Sequence, residues 1–265
     1  MKLKNNIYNK YREGDKMIND KIITSIGDLI SEIKLIYSEQ NYLLWFRGHS
    51  DKGWDLVPSV HRENYQKNEQ FLMNDFYMRA SVTIKEKPSN ENYSGWISLM
   101  QHFGLPTRLL DWSQSPLVAA FFATNSFAEY PEKDACIWIL KPSLLNKSEG
   151  FGKYIYPMDT KTVLEMIYPA FKPYKSMDKA VEDKIIACYP IENNMRIYTQ
   201  QSAFTVHNSS KKLRSLNTPN LIERFIIPAD KKEKIFNELK ICGISLRNIY
   251  PDVEHIAEEL KEFYK

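Results

Sequence analysis

The stretch "SPLVAAFFA" at residues 115–123 places the strongest constraint on the fold. Ser115 followed by Pro116 matches a helix N-cap with proline in the first turn. The residues from Leu117 to Ala123 are apolar on all sides, so this helix should be buried rather than amphipathic. The chain can supply a core of that size, because 43% of its 265 residues are hydrophobic and 13% are aromatic. With 26% charged residues, the composition is that of a soluble globular protein.

Hydrophobic periodicity predicts helices and strands in an irregular order along the rest of the chain. Helical spacing of apolar residues marks the segments 25–39, 68–84, 94–104, 230–243 and 252–265. Short apolar runs predict strands at 42–48, 107–112, 135–140 and 222–228. Residues 195–207 are expected to form two short strands, or one strand and a turn. This order predicts an α+β fold, with a mixed, mostly antiparallel central sheet flanked by helices.

Composition gives no reason to divide the chain into two domains. Residues 1–20 are polar and are expected to form a flexible N-terminal arm, and residues 21–265 a single domain. No apolar core follows the basic N-terminus, and no run of 18 apolar residues occurs, so neither a leader nor a membrane span is expected. Three well-separated cysteines suit a reducing compartment. We therefore expect a cytoplasmic protein with no membrane partner.

Charge and motif content exclude several function classes. A net charge of +3 is small for this length and makes nucleic acid an improbable partner, since a basic coat would need far more charge. The chain has none of the common phosphate-loop, dinucleotide, zincin or hydrolase motifs. His49 and His61 could approach each other, with Asp51 or Asp111 completing a set, but the spacing matches no ligand pattern. No metal is expected.

Arg47 is the first candidate for binding a ligand. It stands in "LLWFRGHSDKGWDLVPS" (residues 43–59), at the end of a predicted strand and beside Gly48. The guanidinium is a planar fork of donors that fits phosphate or carboxylate, and a glycine lets a ligand or backbone come close. The alternative is a buried ion pair with Asp111 or Asp55.

Two further polar clusters interrupt apolar sequence. The first, in residues 101–113, comprises Gln101, His102, Thr107, Arg108, Asp111 and Ser113. The second, in residues 196–204, comprises Arg196, Gln200 and Gln201, which could bind an anion, a ribose or a backbone. Polar groups in such places must be paired if they are buried. The first cluster therefore either faces a ligand, or pairs Asp111 with Arg108 or Arg47 while Ser113 and Ser115 cap the helix.

The chain resembles the FRG domain family, named for an aromatic-Arg-Gly motif and known mainly from bacteria and phages. The resemblance covers about residues 25–260 and rests on segments in the family's order: "WFRGHSDKGWDLVPSVHRE", "QHFGLPTRLLDWSQSPLVAAFFAT", "DACIWIL", "RIYTQQSAF" and the ending from "IIPADKKEK" onward. Ser113 stands where the family usually has threonine, which keeps the hydroxyl. Ser202 stands where the family has glycine.

A weaker resemblance, of pattern and order, is to the ADP-ribosyltransferase fold. It implies an NAD-consuming enzyme, either an ADP-ribosyltransferase or an NAD glycohydrolase, acting as a toxin or phage-defence effector. Arg47 would contact NAD, Ser113 would be the hydroxyl of the second element, and Gln200 would stand where a glutamate is expected. Asp111 would then have to supply the negative charge. The remaining residues assigned to NAD binding are Trp45, Gly48, His102, Arg108 and Gln201.

Two other functions stay open. The first is a non-catalytic module in which Arg47 recognises a phosphate or carboxylate on a nucleotide-like molecule, a protein target or a regulatory partner. The second is a nucleic-acid-processing protein that uses His102 and Asp111, which the modest net charge disfavours.

Overall fold

The computed structural model describes residues 20–40, 43–62, 65–172, 183–191, 195–208 and 210–264. Its described strands form one sheet in the order β1-β8-β4-β2-β3-β7-β6-β5. The strands are β1 (Asp20–Ile22), β2 (Trp45–His49), β3 (Leu109–Ser113), β4 (Ala135–Leu140), β5 (Tyr156–Pro157), β6 (Ile185–Tyr189), β7 (Ser202–His207) and β8 (Ile222–Ile227). Only the β1–β8 and β5–β6 pairs at the two edges are parallel. The prediction of an α+β fold with a mostly antiparallel sheet is confirmed.

Eleven α-helices accompany the sheet in the described part of the chain. They are α1 (Ile26–Gln40), α2 (Ser59–Arg62), α3 (Glu69–Thr83), α4 (Tyr93–His102), α5 (Pro116–Thr124), α6 (Pro142–Ser148), α7 (Lys161–Ile167), α8 (Met195–Thr199), α9 (Lys232–Ile241), α10 (Leu246–Ile249) and α11 (Val253–Phe263). Four predicted helices, those in residues 25–39, 68–84, 94–104 and 230–243, are confirmed as α1, α3, α4 and α9. The predicted terminal helix is confirmed as α11 within the described residues.

Two separate groups of helices cover one face of the sheet, whereas α6 packs on the other face, where Leu145 joins the core that contains Trp45 and Trp138. Cross-strand partners and alternate residues of a strand share a face, so Phe46, its partner Ser113, and Asp111 and Leu109 lie on the same side. Phe46 belongs to the core that α1, α5 and α9 make with the sheet. Leu109 belongs to the core that α3, α4 and α7 make with it. Asp111 and Ser113 therefore lie between the two helix groups.

The α5 helix is buried as its sequence predicts. Ser115 caps it, its Oγ accepting a hydrogen bond from the Val118 amide at 3.4 Å. Ala119, Ala120 and Phe121 are almost fully buried against the sheet and α9. Pro116 and Leu117 in its first turn and Phe122 on its flank are partly exposed.

The structure differs from the sequence prediction at residues 195–207. The segment is not two strands: Met195–Thr199 is the one-turn helix α8, and only Ser202–His207 forms a strand. Alternation of Ile197 and Thr199 mimics a strand, but Ile197 is the only residue of the turn that is buried. Gln201 links the two elements at a positive φ of 47°. Residues 244–251, between the last two predicted helices, likewise contain a one-turn helix, α10.

The predicted arm, residues 1–20, lies outside the described residues except for Asp20. That residue opens the edge strand β1, which pairs with β8. The prediction of one domain over residues 21–265 stays a prediction.

Gly48 provides a test of how tightly α5 packs on β2. A Cβ atom at this position would lie 1.9 Å from the Ala119 carbonyl oxygen and 2.6 Å from the Ala123 amide nitrogen. We expect Gly48→Ala to lower the free energy of unfolding by about 3 kcal/mol or more, since backbone of both elements must shift. Urea unfolding measures the change. Gly27→Ala is the matched control, because its Cβ would meet only Ser25 Oγ at 3.6 Å, and it should cost nothing. Equal stability of the two variants would contradict this packing.

Candidate functional site

The central sheet splits between β2 and β3. These neighbouring strands share the single residue pair Phe46–Ser113, whereas β2 pairs with β4, and β3 with β7, along their whole length. Beyond that pair the two strands diverge, and a cleft of about 830 Å³ opens at the split. Side chains from β2, β3, α4, α5 and α8 and from the loop after β2 line it. Four of the predicted residues, Arg47, Asp111, Ser113 and Gln200, are therefore brought into one cleft.

Arg47 spans the split. Its Nη1 donates a 2.6 Å hydrogen bond to the Asp111 backbone carbonyl and lies 3.7 Å from Asp111 Oδ2. Its Nε donates to His49 Nε2 at 3.0 Å. The second terminal nitrogen, Nη2, has no partner among the described residues, and one-fifth of the side chain is exposed. The fold therefore uses Nε and Nη1 of the guanidinium, and Nη2 is left for a ligand in the cleft.

His49 is the neutral acceptor behind Arg47. Both ring nitrogens face a donor: Arg47 Nε donates to Nε2 at 3.0 Å, and Trp138 Nε1 lies 3.3 Å from Nδ1. The charged guanidinium makes the stronger of the two hydrogen bonds. Burial and the positive charge of Arg47 lower the pKa of His49 to about 3. His49 therefore stays neutral at physiological pH and fixes the plane of the guanidinium.

Asp111 presents the most exposed carboxylate on the sheet surface of the cleft. Half of its side chain is exposed. Its Oδ2 accepts a 2.7 Å hydrogen bond from Gln101 Nε2, and Gln101 Oε1 in turn accepts from Thr107 Oγ1. The carboxylate is thus oriented by α4 and by Arg47 while one oxygen is left for a ligand.

Ser113 and Gln200 are more committed to the fold than the sequence suggests. Ser113 Oγ donates to the Gln200 carbonyl at 2.7 Å and accepts from the Ser115 amide at 3.0 Å, so its proton and one of its two lone pairs are used. Gln200 Nε2 donates to the Ile249 carbonyl at 3.2 Å. Its side-chain oxygen has no partner among the described residues. Both residues line the cleft, but mainly as links between β3, α8 and α10.

Three residues assigned to NAD binding do not line the cleft. Trp45 is fully buried in the core that β2 shares with Trp112 and Trp138, and it packs edge-on against Tyr189. Gln201 is an exposed turn residue whose carbonyl accepts from the Gln114 amide. Arg108 is buried, and its Nη2 and Nε bind Glu69 at 2.6 and 2.9 Å. These three assignments stay predictions that the cleft geometry does not support, whereas His102 and Gly48 do line the cleft.

The structure adds cleft residues that the sequence analysis did not single out. Trp54 is 42% exposed, with its ring held by His49 at 5.9 Å and Tyr130 at 5.6 Å between centroids. Arg62 and Glu129 are exposed charges without an ion-pair partner among the described residues. The Gly-containing turn before Trp54 is the one sequence feature that could have indicated any of these three residues. Nothing in the neighbouring sequence distinguishes Arg62 or Glu129 from other surface charges.

Part of the cleft lies in a segment that matches a known protein family. The family model described as FRG domain matches residues 42–132, about a third of the chain. This chain carries an FRG domain. The match includes Arg47, Asp111 and Ser113, whereas Gln200 lies beyond it. No curated protein and no solved structure matches the chain. The resemblance to ADP-ribosyltransferases is therefore without support from these comparisons.

Metal centres and membrane spans are two other classes of site to consider in the described residues. In the described ranges no group of three or more His, Cys, Asp or Glu side chains is arranged to hold a metal ion. None of the helices described here combines the length and apolar character needed to cross a membrane.

The Arg108–Glu69 pair of the FRG domain should be structural. We expect Arg108→Met to lower the free energy of unfolding by about 3–5 kcal/mol, since Glu69 is left as an uncompensated buried charge. Chemical denaturation measures it. The double variant Glu69→Leu, Arg108→Met should recover most of the loss, because no buried charge remains. A loss below about 1 kcal/mol in the single variant would contradict this role.

The depressed pKa of His49 should make stability depend on pH. The unfolded chain binds a proton near pH 6.5 and the folded chain only near 3. Stability is therefore full above pH 6.5 and falls with decreasing pH, by up to about 1.4 kcal/mol per pH unit from this group. His49→Gln keeps an acceptor for Arg47 but cannot titrate, so its slope between pH 6.5 and 4 should be shallower. Identical slopes for the two proteins in urea unfolding would show that His49 is not buried as a neutral ring.

Proposed function

We propose that the cleft binds a phosphate-bearing nucleotide, with NAD as the ligand, and that Arg47 is its anion contact. The observation that carries this proposal is the free Nη2 edge of Arg47 in the cleft, while the rest of the guanidinium is fixed by Asp111 and His49. A guanidinium whose plane is already set gains a charge-assisted hydrogen bond with little further loss of freedom. The cleft volume lies in the range of small-molecule and cofactor sites.

Trp54 supports a ligand with an aromatic ring. Large aromatic side chains at a cleft are usually covered, and Trp54 keeps 42% of its surface exposed. Tyr130 and His49 hold it in one orientation, so it offers a prearranged surface for a base or a nicotinamide ring.

The proposed reaction is cleavage of the bond between nicotinamide and ribose. The C1′–N bond breaks, its electron pair leaves with nicotinamide, and the ribose carbon becomes oxocarbenium-like. Water, or a hydroxyl of a protein target, then adds to that carbon and releases a proton. The Asp111 carboxylate would stabilise the positive charge, held in place by Gln101. Gln200 could accept from a ribose hydroxyl through its free oxygen, and Ser113 would act by positioning Gln200.

Binding without turnover is the second candidate. It is favoured by the neutral side chain at Gln200 and by the Ser113 hydroxyl, whose proton is already donated to the Gln200 carbonyl. In that case the protein would recognise the phosphate of a nucleotide or of a regulatory partner through Arg47. Roles as a toxin or phage-defence effector, and a cytoplasmic location, are proposals that rest on the resemblance and composition alone.

Nicotinamide release and NAD affinity separate the two candidates. We expect wild-type protein to release nicotinamide, and Asp111→Asn to bind NAD with similar affinity but release it at least about 100-fold more slowly. Arg47→Lys, which keeps the charge but loses the fork, should weaken NAD binding by at least about tenfold. Chromatography of nicotinamide and titration calorimetry measure these effects.

Arg79→Ala is the control for these variants, because Arg79 lies on α3 outside the cleft with 84% of its side chain exposed. It should match wild type in both assays. NAD binding with no nicotinamide release would favour the second candidate. No NAD binding by a folded protein would overturn both.

A further inference from the structure

We infer that Arg62 and Arg47 together form a diphosphate site, so that the ligand of this cleft is a nucleoside diphosphate or its ester rather than a monophosphate. This inference rests on the proposed nucleotide-binding function. Arg62 was not among the residues that the sequence indicated. It lines the same cleft as Arg47 but comes from a different element, the last residue of α2.

The backbone that presents Arg62 is firmly held. Val60 is fully buried and its amide donates to the Thr107 carbonyl at 3.2 Å. Ser59 Oγ accepts from the Thr107 amide at 3.2 Å, so α2 is bound to the segment leading into β3 from both sides. The Arg62 side chain itself is exposed. A fixed backbone that carries an uncommitted charge at a cleft is typical of a ligand contact rather than of a structural one.

The positive charge of Arg62 is not neutralised by a neighbouring side chain. No ion pair or hydrogen bond joins its guanidinium to any described residue. Asp55, on the loop before α2, is already paired with Lys212 at 2.7 Å and Arg214 at 2.8 Å. Asp111 is engaged by Gln101. Asp55 is thus occupied and Asp111 is engaged at one oxygen, while Glu129 lines the same cleft without forming an ion pair with Arg62.

The two arginines also act on each other. Burial lowers the pKa of Arg47, and the charge of Arg62 lowers it further. Arg62 likewise adds to the burial and to the Arg47 charge that depress the pKa of His49. Like charges that share a cleft are relieved by an anion between them. Because Arg47 offers mainly one free nitrogen edge, one phosphate can use Arg47 and an adjacent phosphate can use Arg62.

A comparison of AMP and ADP tests this inference by titration calorimetry at fixed salt. Wild-type protein should bind ADP at least about tenfold more tightly than AMP, since ADP alone can engage both arginines. Arg62→Ala should leave AMP affinity nearly unchanged and reduce the ADP preference to about twofold or less. Arg79→Ala, the exposed arginine control, should keep the full preference. Arg62 is exposed, so its replacement should not impair folding, and an unfolding curve checks this.

Several results would overturn the inference. One is a wild-type protein that binds AMP and ADP equally, and another is an Arg62→Ala variant that keeps the ADP preference. An equal loss of AMP and ADP affinity in that variant would also overturn it. The same experiments separate a failure of this site from a failure of the proposed reaction. An ADP preference that depends on Arg62, without nicotinamide release, supports this site and rejects the reaction. Nicotinamide release without any ADP preference rejects this site alone.

Discussion

The hydrogen bond from Arg47 Nη1 to the Asp111 carbonyl is the interaction on which the centre of this protein depends. Adjacent strands normally satisfy each other's backbone groups, but β2 and β3 pair at one position only. The guanidinium supplies the donor that a neighbouring strand would have supplied, at 2.6 Å. The sheet can therefore open into a cleft without leaving this carbonyl unpaired. Arg47 thus stabilises the fold through Nε and Nη1, whereas the proposed ligand contact uses Nη2.

Helices and strands that a local residue pattern determines could be predicted from the sequence. Features that depend on contacts with distant parts of the chain could not. Serine, proline and an unbroken apolar run were enough to predict α5, and a continuous apolar run was enough for β4. The helix at Met195–Thr199 was missed because one turn is too short to show a helical period. The strand order, and the single pair between β2 and β3, depend on contacts between distant segments.

The candidate site shows the same division. Arg47, Asp111, Ser113 and Gln200 were recognised because polar residues stand out in apolar sequence, and all four line the cleft. Arg108 satisfied the same criterion, but its partner Glu69 lies 39 residues away and withdraws it from the cleft. Arg62 and Trp54 could not be predicted, since an exposed charge or ring gains meaning only from the residues that the fold brings beside it.

The single pair between β2 and β3 also concerns how the limits of the FRG match relate to the pairing of the strands in the sheet. The matched residues 42–132 contain both strands and α5. Their full-length partners, β4 and β7, lie beyond residue 132. Cut at those limits, the segment would carry two strands with open outer edges, which invite pairing with other chains. The matched stretch thus holds only two of the eight described strands, and its limits separate each of them from the strand with which it pairs along its whole length.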